Sequence, residues 1–128
     1  MTDNYNIINF IMLTPTTLFK CLADETRLRC MVLLHKEGRL CVCELTYALA
    51  MSQPKISRHL ALLRQIKVLQ DSREGQWVYY RINPELPDWV FDILDIAAKQ
   101  FSEQPRLQQD VERLQAMDGR PWLAKCCD

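Results

Sequence analysis

Ser52-Gln53-Pro54-Lys55-Ile56-Ser57-Arg58-His59-Leu60-Ala61-Leu62-Leu63-Arg64 is the stretch on which the fold turns. Ser52 has the side chain of a helix N-cap, and Pro54 is tolerated in the first turn, where an N–H has no intrahelical partner. At about 100° per residue, Ile56, Leu60 and Leu63 fall on one stripe and face a core. Ser57 and Arg58 then project outward, with Lys55 on the flank, and the helix is expected to run to about Ile66. A helix whose outer face carries Arg, Lys and Ser can enter a major groove and donate to base edges and phosphates. Gln53 stands at its N-terminus, where backbone amides also favour phosphate. The competing reading of this face is a solvated basic surface on an ordinary helical protein. His59, near the buried edge of the stripe, fits packing better than base reading.

The neighbouring segments decide between those readings. Upstream, Thr14-Pro15 opens a helix to about Leu22, and a second begins near Asp24-Glu25-Thr26. Its stripe of Leu28, Met31, Val32 and Leu34 ends at Gly38. Val42 to about Ala50 is a short helix with Leu45, Ala48 and Leu49 inward. Downstream, Val68–Ser72 and Trp77–Ile82 are β-rich runs around the Gly75 turn, which makes a hairpin. Two short helices, a tight connection and a hairpin make a winged helix-turn-helix: a mainly α fold with a small β-hairpin. The wing sets Arg73, Gln76 and Tyr79 beside the recognition helix, suited to backbone or minor-groove contact with double-stranded DNA.

Pro84 and Pro87 stop the hairpin, and Asp88 to about Met117 is expected to be one long amphipathic helix, bent at Pro105. Trp89, Ile93, Ile96, Ala97 and Phe101 recur at three- and four-residue steps. Part of that stripe covers its own core; the rest, with Phe10 and Leu13 to Leu18, is available to a second subunit. A homodimer places two recognition helices about one DNA turn apart on a palindromic site. The expected organisation is an N-terminal extension (1–13), a DNA-binding and dimerisation domain (14–117) and a cysteine-containing tail (118–128).

The chain has 128 residues, enough for one domain, and a formal net charge of zero. The charge is segregated. Gln53 to Ile82 carries Lys55, Arg58, Arg64, Lys67, Arg73 and Arg81 against Asp71 and Glu74, whereas Asn83 to Met117 carries seven acids against three basic residues. A basic reading unit therefore precedes an acidic helix with another job. The apolar run Ile7–Leu13 is far shorter than the ~20 residues that span a bilayer, and no basic flank precedes it. A soluble, cytoplasmic protein with no membrane partner is expected. The sequence shows no phosphate loop, no Cys-x-x-Cys in a βαβ setting and no catalytic histidine with a carboxylate partner, so the expectation is of no enzyme and no required cofactor.

There are six cysteines. In a cytoplasmic chain these thiols are expected to be reduced, as metal ligands or buried apolar residues. Cys21 and Cys30 lie in helical apolar patterns and read as buried.

Several segments, in order, resemble one family. Leu18-Phe19-Lys20-Cys21-Leu22-Ala23-Asp24-Glu25-Thr26-Arg27-Leu28-Arg29 resembles the opening of the ArsR/SmtB metal-sensing repressors. Leu40-Cys41-Val42-Cys43-Glu44-Leu45 looks like their metal box. The stretch from Ser52 to Arg64 closely matches the recognition helix of arsenical-resistance operon repressors, and Gly75-Gln76-Trp77-Val78-Tyr79-Tyr80-Arg81 is similar to their wing. The resemblance covers about residues 14 to 100 and implies a dimeric repressor that releases its operator when a metal or metalloid binds.

Cys41 and Cys43 are two residues apart. In a regular helix they would point about 160° away from each other, whereas in an extended or frayed backbone they lie on one side. Binding both to one centre should distort the first turn of the helix that supports the recognition helix. Thiolates favour soft acceptors: arsenite or antimonite, cadmium, lead or zinc. In the arsenical repressors that the chain resembles, a third cysteine follows three residues after the pair; here that position is Thr46. Trivalent arsenic takes three sulfurs, so Cys126 and Cys127 are the leading replacements, from the tail of either subunit, with an exogenous thiol as another source. Cadmium/lead sensors of the family add cysteines in an N-terminal arm, and none precedes Cys21 here. The expected effector is therefore As(III) or Sb(III), with cadmium, lead or zinc sensing and a thiol-redox switch as alternatives.

Overall fold

The structure is a computed structural model that describes residues 13–120. Thr14 opens α1 (Pro15–Leu22) from an extended backbone, its Oγ1 accepting the Thr17 N–H at 3.2 Å. Asp24 does the same for α2 (Glu25–Glu37), accepting the Arg27 N–H at 3.0 Å. Gly38 ends α2 at φ 91°, where a side chain would be strained. β1 (Arg39–Cys41) runs directly into α3 (Val42–Leu49), and α4 (Gln53–Gln65) follows after residues 50–52. β2 (Leu69–Glu74) and β3 (Trp77–Ile82) form the wing around Gly75 at φ 64°.

The hairpin is part of a larger sheet than the sequence showed. β1 pairs antiparallel with β3, giving the strand order β1-β3-β2 with Leu40 opposite Tyr80 and Cys41 opposite Tyr79. A three-residue strand is too short to display a period of two, which is why only its partners were legible.

The expected long C-terminal helix is two helices, α5 (Asp88–Phe101) and α6 (Pro105–Ala116). Pro105 is the cause: it lacks an N–H for the ladder, and it pushes the residue before it out of the helical region. Gln104 accordingly has ψ 136° and serves as the N-cap of α6.

Ile56, Leu60 and Leu63 of α4 are fully buried, as their spacing required, among Leu18, Met31, Leu34, Leu45 and Leu94. Cys21 and Cys30 are buried with them. Val90 and Leu94 are the residues through which α5 enters the core; Trp89, Ile93 and Ala97 are half-buried, and Ile96 is 63% exposed.

α6 docks on α3 through a buried ionic network. Asp110, fully buried, accepts from Arg29 Nε at 2.8 Å and Nη2 at 2.7 Å, and from Arg113 Nη2 at 3.0 Å. The same guanidinium groups reach the end of α3: Arg29 Nη2 donates to Leu49 O at 3.1 Å and Arg113 Nε to Ala48 O at 2.7 Å. These carbonyls have no intrahelical partner, so the network satisfies them. Among the described residues no helix is long and apolar enough to cross a membrane.

Candidate sensor site and nucleic-acid interface

Cys41 is both the last residue of β1 and the N-cap of α3, with φ −84° and ψ 164°. Cys43 lies in the first helical turn. The extended backbone at Cys41 removes the divergence that two cysteines at this spacing would have inside a helix. Both line one cleft of about 560 Å3, together with Val42, Thr46, Tyr47, Gln53, Gln76, Trp77, Val78 and Met117. Cys41 is almost fully buried and Cys43 half-buried. The expectation that all six cysteines are reduced meets a difference at Cys43, which is disulfide-bonded, while Cys21, Cys30 and Cys41 stand outside any disulfide.

Glu44 organises this turn. Its carboxylate is completely buried; Oε1 accepts the Cys41 N–H at 2.8 Å and Oε2 accepts from Arg120 Nε at 2.6 Å. Arg120 Nη2 also donates to Glu37 Oε1 at 3.3 Å. The bond to Cys41 N–H is one half of a capping box, with Cys41 in the place usually held by Ser or Thr. The glutamate three residues after the N-cap was a visible signal, masked by the unusual capping residue. Arg120 carried no signal, because its partner lies 76 residues away.

Thr46, at the position of the missing third cysteine, spends its hydroxyl on Val42 O at 2.8 Å. Among the described residues no group of three or more His, Cys, Asp and Glu side chains could hold a metal ion. Cys126 and Cys127 lie outside the described residues, as do Phe10 and most of the N-terminal extension. Burial pushes the Cys30 thiol up to about 12. It raises Cys21 too, against the opposing pull of the Arg27 cation. Neither residue touches the cleft.

The outer face of α4 presents Gln53, Lys55 and Arg58 to solvent, with Ser57 half-buried beside them. His59 is half-buried, and Arg27 Nη1 donates to its Nδ1 at 3.4 Å, which ties it to α2. Arg73 and Gln76 are exposed near the wing tip. Tyr79 departs from its expected place in the DNA-facing set. It is only 5% exposed, in the central strand, and the Arg39 guanidinium covers its ring at 4.0 Å from the centroid. The covering residue comes from β1, the strand that sequence pattern did not reveal. The acids of the reading unit are paired: Asp71 with Arg64 at 3.2 Å and Glu74 with Arg39 at 2.5 Å.

A helix-turn-helix formed by α3 and α4, flanked by a wing whose tip carries Arg73 and Gln76, defines a winged-helix DNA-binding transcriptional regulator. Residues 24–67 match the family described as "Bacterial regulatory protein, arsR family". The chain is similar to the arsenic resistance transcriptional regulator ArsR1 of Pseudomonas putida, with 53% identity over 116 residues, covering 91% of this chain and 89% of that protein. It is 52% identical over 102 residues to the arsenical resistance operon repressor of Escherichia coli, covering 80% of this chain and 86% of that protein. Its fold matches the crystal structure of the AntR antimony-specific transcriptional repressor with a TM-score of 0.59 and 33% identity, covering 69% of this chain and 77% of that one. The chain belongs to the ArsR family.

Proposed function

We propose that the chain is an arsenite- and antimonite-responsive transcriptional repressor. A homodimer holds a palindromic operator and leaves it when the trivalent metalloid binds cysteine thiolates. One observation carries this reading: Cys41 and Cys43 line the same cleft as Gln53, the first residue of the recognition helix, and Gln76, at the wing. The names of the similar proteins, arsenic-resistance regulators and an antimony-specific repressor, support the same effector class.

Gln53, Lys55, Ser57 and Arg58 serve the major groove and its phosphates, and Arg73 and Gln76 the flanking backbone or minor groove. The second subunit covers the exposed apolar side chains Phe19 (54%) and Ile96 (63%) with the half-buried Trp89, Ile93, Ala97 and Phe101. Arsenite enters as As(OH)3. Each As–S bond forms as a thiol proton and an arsenic-bound hydroxide leave together as water. Drawing the sulfurs of Cys41 and Cys43 to one centre pulls on the Cys41 N–H···Glu44 bond and reshapes the first turn of α3. A coupling of ~3 kcal/mol would lower operator affinity about a hundredfold. The third sulfur comes from Cys126 or Cys127.

The test is operator binding by fluorescence anisotropy, with protein kept reduced by a phosphine. Arsenite should release the wild type and leave Cys41→Ser bound; release of that variant at the same arsenite concentration would sink the sensor assignment. The disulfide at Cys43 supports a second reading, a thiol-redox switch, in which two thiols lose two electrons and two protons to a peroxide, giving a disulfide and water. Release by peroxide alone, reversed by the phosphine, is its signature. Release by arsenite under full reduction rules it out as the primary signal.

A further inference from the structure

The two flanks of the recognition helix are held by different elements. At about 100° per residue, Arg58 lies about 160° around α4 from the buried Ile56, so it points away from the core. Arg64 lies about 80° to one side, and its Nη1 donates to Asp71 Oδ2 of β2 at 3.2 Å, which makes that the wing flank. His59 lies about 60° to the other side, half-buried, and meets Arg27 of α2. A helix in the major groove turns its outermost residues to the base edges and its flanks to the phosphate walls on either side.

Arg27 is held at three points. Its Nε donates to Cys21 O at 3.0 Å, Nη2 to Lys20 O at 3.5 Å and Nη1 to His59 Nδ1 at 3.4 Å. The two carbonyls belong to the last turn of α1, where they have no intrahelical partner, so α1 seats the guanidinium that meets the imidazole. A guanidinium has five donors and no acceptor, so Nδ1 must offer a lone pair. A neutral imidazole that accepts at Nδ1 carries its hydrogen on Nε2. Among the described residues Nε2 has no hydrogen-bond partner, and no side-chain nitrogen or oxygen there is both buried and unpartnered, so Nε2 is open to solvent. His59 thus carries a fixed N–H donor on the flank of α4 away from the wing.

We infer that His59 Nε2–H donates to a phosphate oxygen of the operator on the groove wall opposite the wing, and that Arg27 is the positioning residue that selects this tautomer. This role rests on the recognition-helix reading above and deepens it. The phosphate oxygens of a duplex only accept, so the ring binds with Nε2 as donor, whereas the other neutral tautomer sets a lone pair against the phosphate. Lys55, exposed one turn earlier on the same side of α4, adds the charge that a neutral ring lacks. The wing flank and the α2 flank then hold the two walls of the groove, and Arg58 between them faces the bases.

The test uses the full reduced chain and a fluorescein-labelled duplex that the wild type enriches from a random library. Nitrogen NMR of the His59 ring distinguishes the Nε2–H form, the Nδ1–H form and the imidazolium. The free wild type should show Nε2–H, and either other signature would overturn the assignment. Arg27→Ala should mix the tautomers and weaken duplex binding roughly threefold to tenfold, the scale of one hydrogen bond. Arg27→Lys, which still donates, should recover part of that loss. Because Arg27 also holds the end of α1, the substitution is repeated in His59→Ala, where it should cost nothing further. An equal loss in both backgrounds marks Arg27 as merely structural and removes its positioning role. His59→Gln, which sets an amide nitrogen near the place of Nε2, should bind better than His59→Asn; the reverse order would refute the donor. A neutral methylphosphonate at one position of the duplex should weaken the wild type and leave His59→Ala unaffected, and if no position does so the contact is not to phosphate. Arg58→Ala separates the two levels: if it leaves both affinity and salt dependence unchanged, the recognition-helix reading itself has failed.

Discussion

Asp110→Ala isolates the network that seats α6 on α3. The carboxylate is fully buried and takes both nitrogens of a bidentate Arg29, at 2.8 and 2.7 Å, plus Arg113 at 3.0 Å. Removing it leaves the Arg29 guanidinium, 4% exposed, without its counter-charge. Breaking a buried pair from one side costs about 3–5 kcal/mol. A domain of this size has only about 5–15 kcal/mol in all. At about 4 °C per kcal/mol, the melting temperature should fall by about 12–20 °C. Urea and thermal unfolding followed by circular dichroism measure this, at one fixed protein concentration because dimerisation adds to apparent stability. The paired replacement Arg29→Met with Asp110→Leu removes charge and counter-charge together and should lose much less than Asp110→Ala alone. A loss under ~1 kcal/mol for Asp110→Ala, or a double variant worse than the single one, would refute the argument that the buried charge pair holds α6 in place.

Four further outcomes can be checked separately. Ala50 ends α3 in the left-handed region at φ 54°, so Ala50→Gly should stabilise the domain by about 1 kcal/mol in urea unfolding, and a destabilised variant would contradict the strain. Asp24→Ala should cost about 1 kcal/mol at pH 7 through loss of the α2 cap. The Arg27 backbone N–H holds the Asp24 carboxyl below its ordinary range, so its ionic contribution is present above the unfolded value of ~3.9 and is lost as pH falls through the folded one; the gap between wild type and Asp24→Ala should narrow there. Cys30, its thiol pushed up to about 12 by burial, should escape iodoacetamide at pH 8 in the folded protein and react once urea unfolds it, as mass spectrometry will show. Arg58→Ala should weaken operator binding by about 1–3 kcal/mol if it reads a base, or reduce the salt slope by about 1 if it holds a phosphate; unchanged affinity and slope would remove it from the interface.

The parts of the fold that sequence revealed are those governed by local rules. The stripe Ile56, Leu60, Leu63 and the helix starts after Thr14 and near Asp24 are set within a few residues and appear where the sequence put them, whereas Ser52 holds the N-cap position of α4 without a side-chain capping hydrogen bond. The proline that breaks α5 from α6 was visible, and only its strength was underestimated. What escaped is non-local. β1 was too short to show a pattern, and Tyr79 was assigned to the DNA face because the arginine covering it comes from that strand. The cysteine pair was legible from its spacing. Its supporting shell, Glu44 with an arginine 76 residues downstream, obeys no periodicity that a single sequence displays.

The two ionic clusters give α3 an asymmetry that matters for switching. Its C-terminal end is held hard: two arginines donate to the Ala48 and Leu49 carbonyls, and a buried aspartate fixes both arginines. Its N-terminal end is held by one carboxylate, which splits its two oxygens between the Cys41 N–H and Arg120. Only residues 50–52 separate α3 from α4, so displacement of the hard end is passed to the recognition helix with little slack. Under the sensing mechanism proposed above, the ligand acts at the soft end, where a capping bond worth about 1 kcal/mol is exchanged for much stronger metalloid–sulfur bonds. If the first turn simply unwound there, the disturbance would stop within one turn, because the far end is pinned. Met117, directly after α6, lines the same cleft as Gln53 and Gln76 and gives the soft end a second point of contact. Strain applied between those points falls on the contact between the recognition helix and the wing, the surface on which groove fit depends.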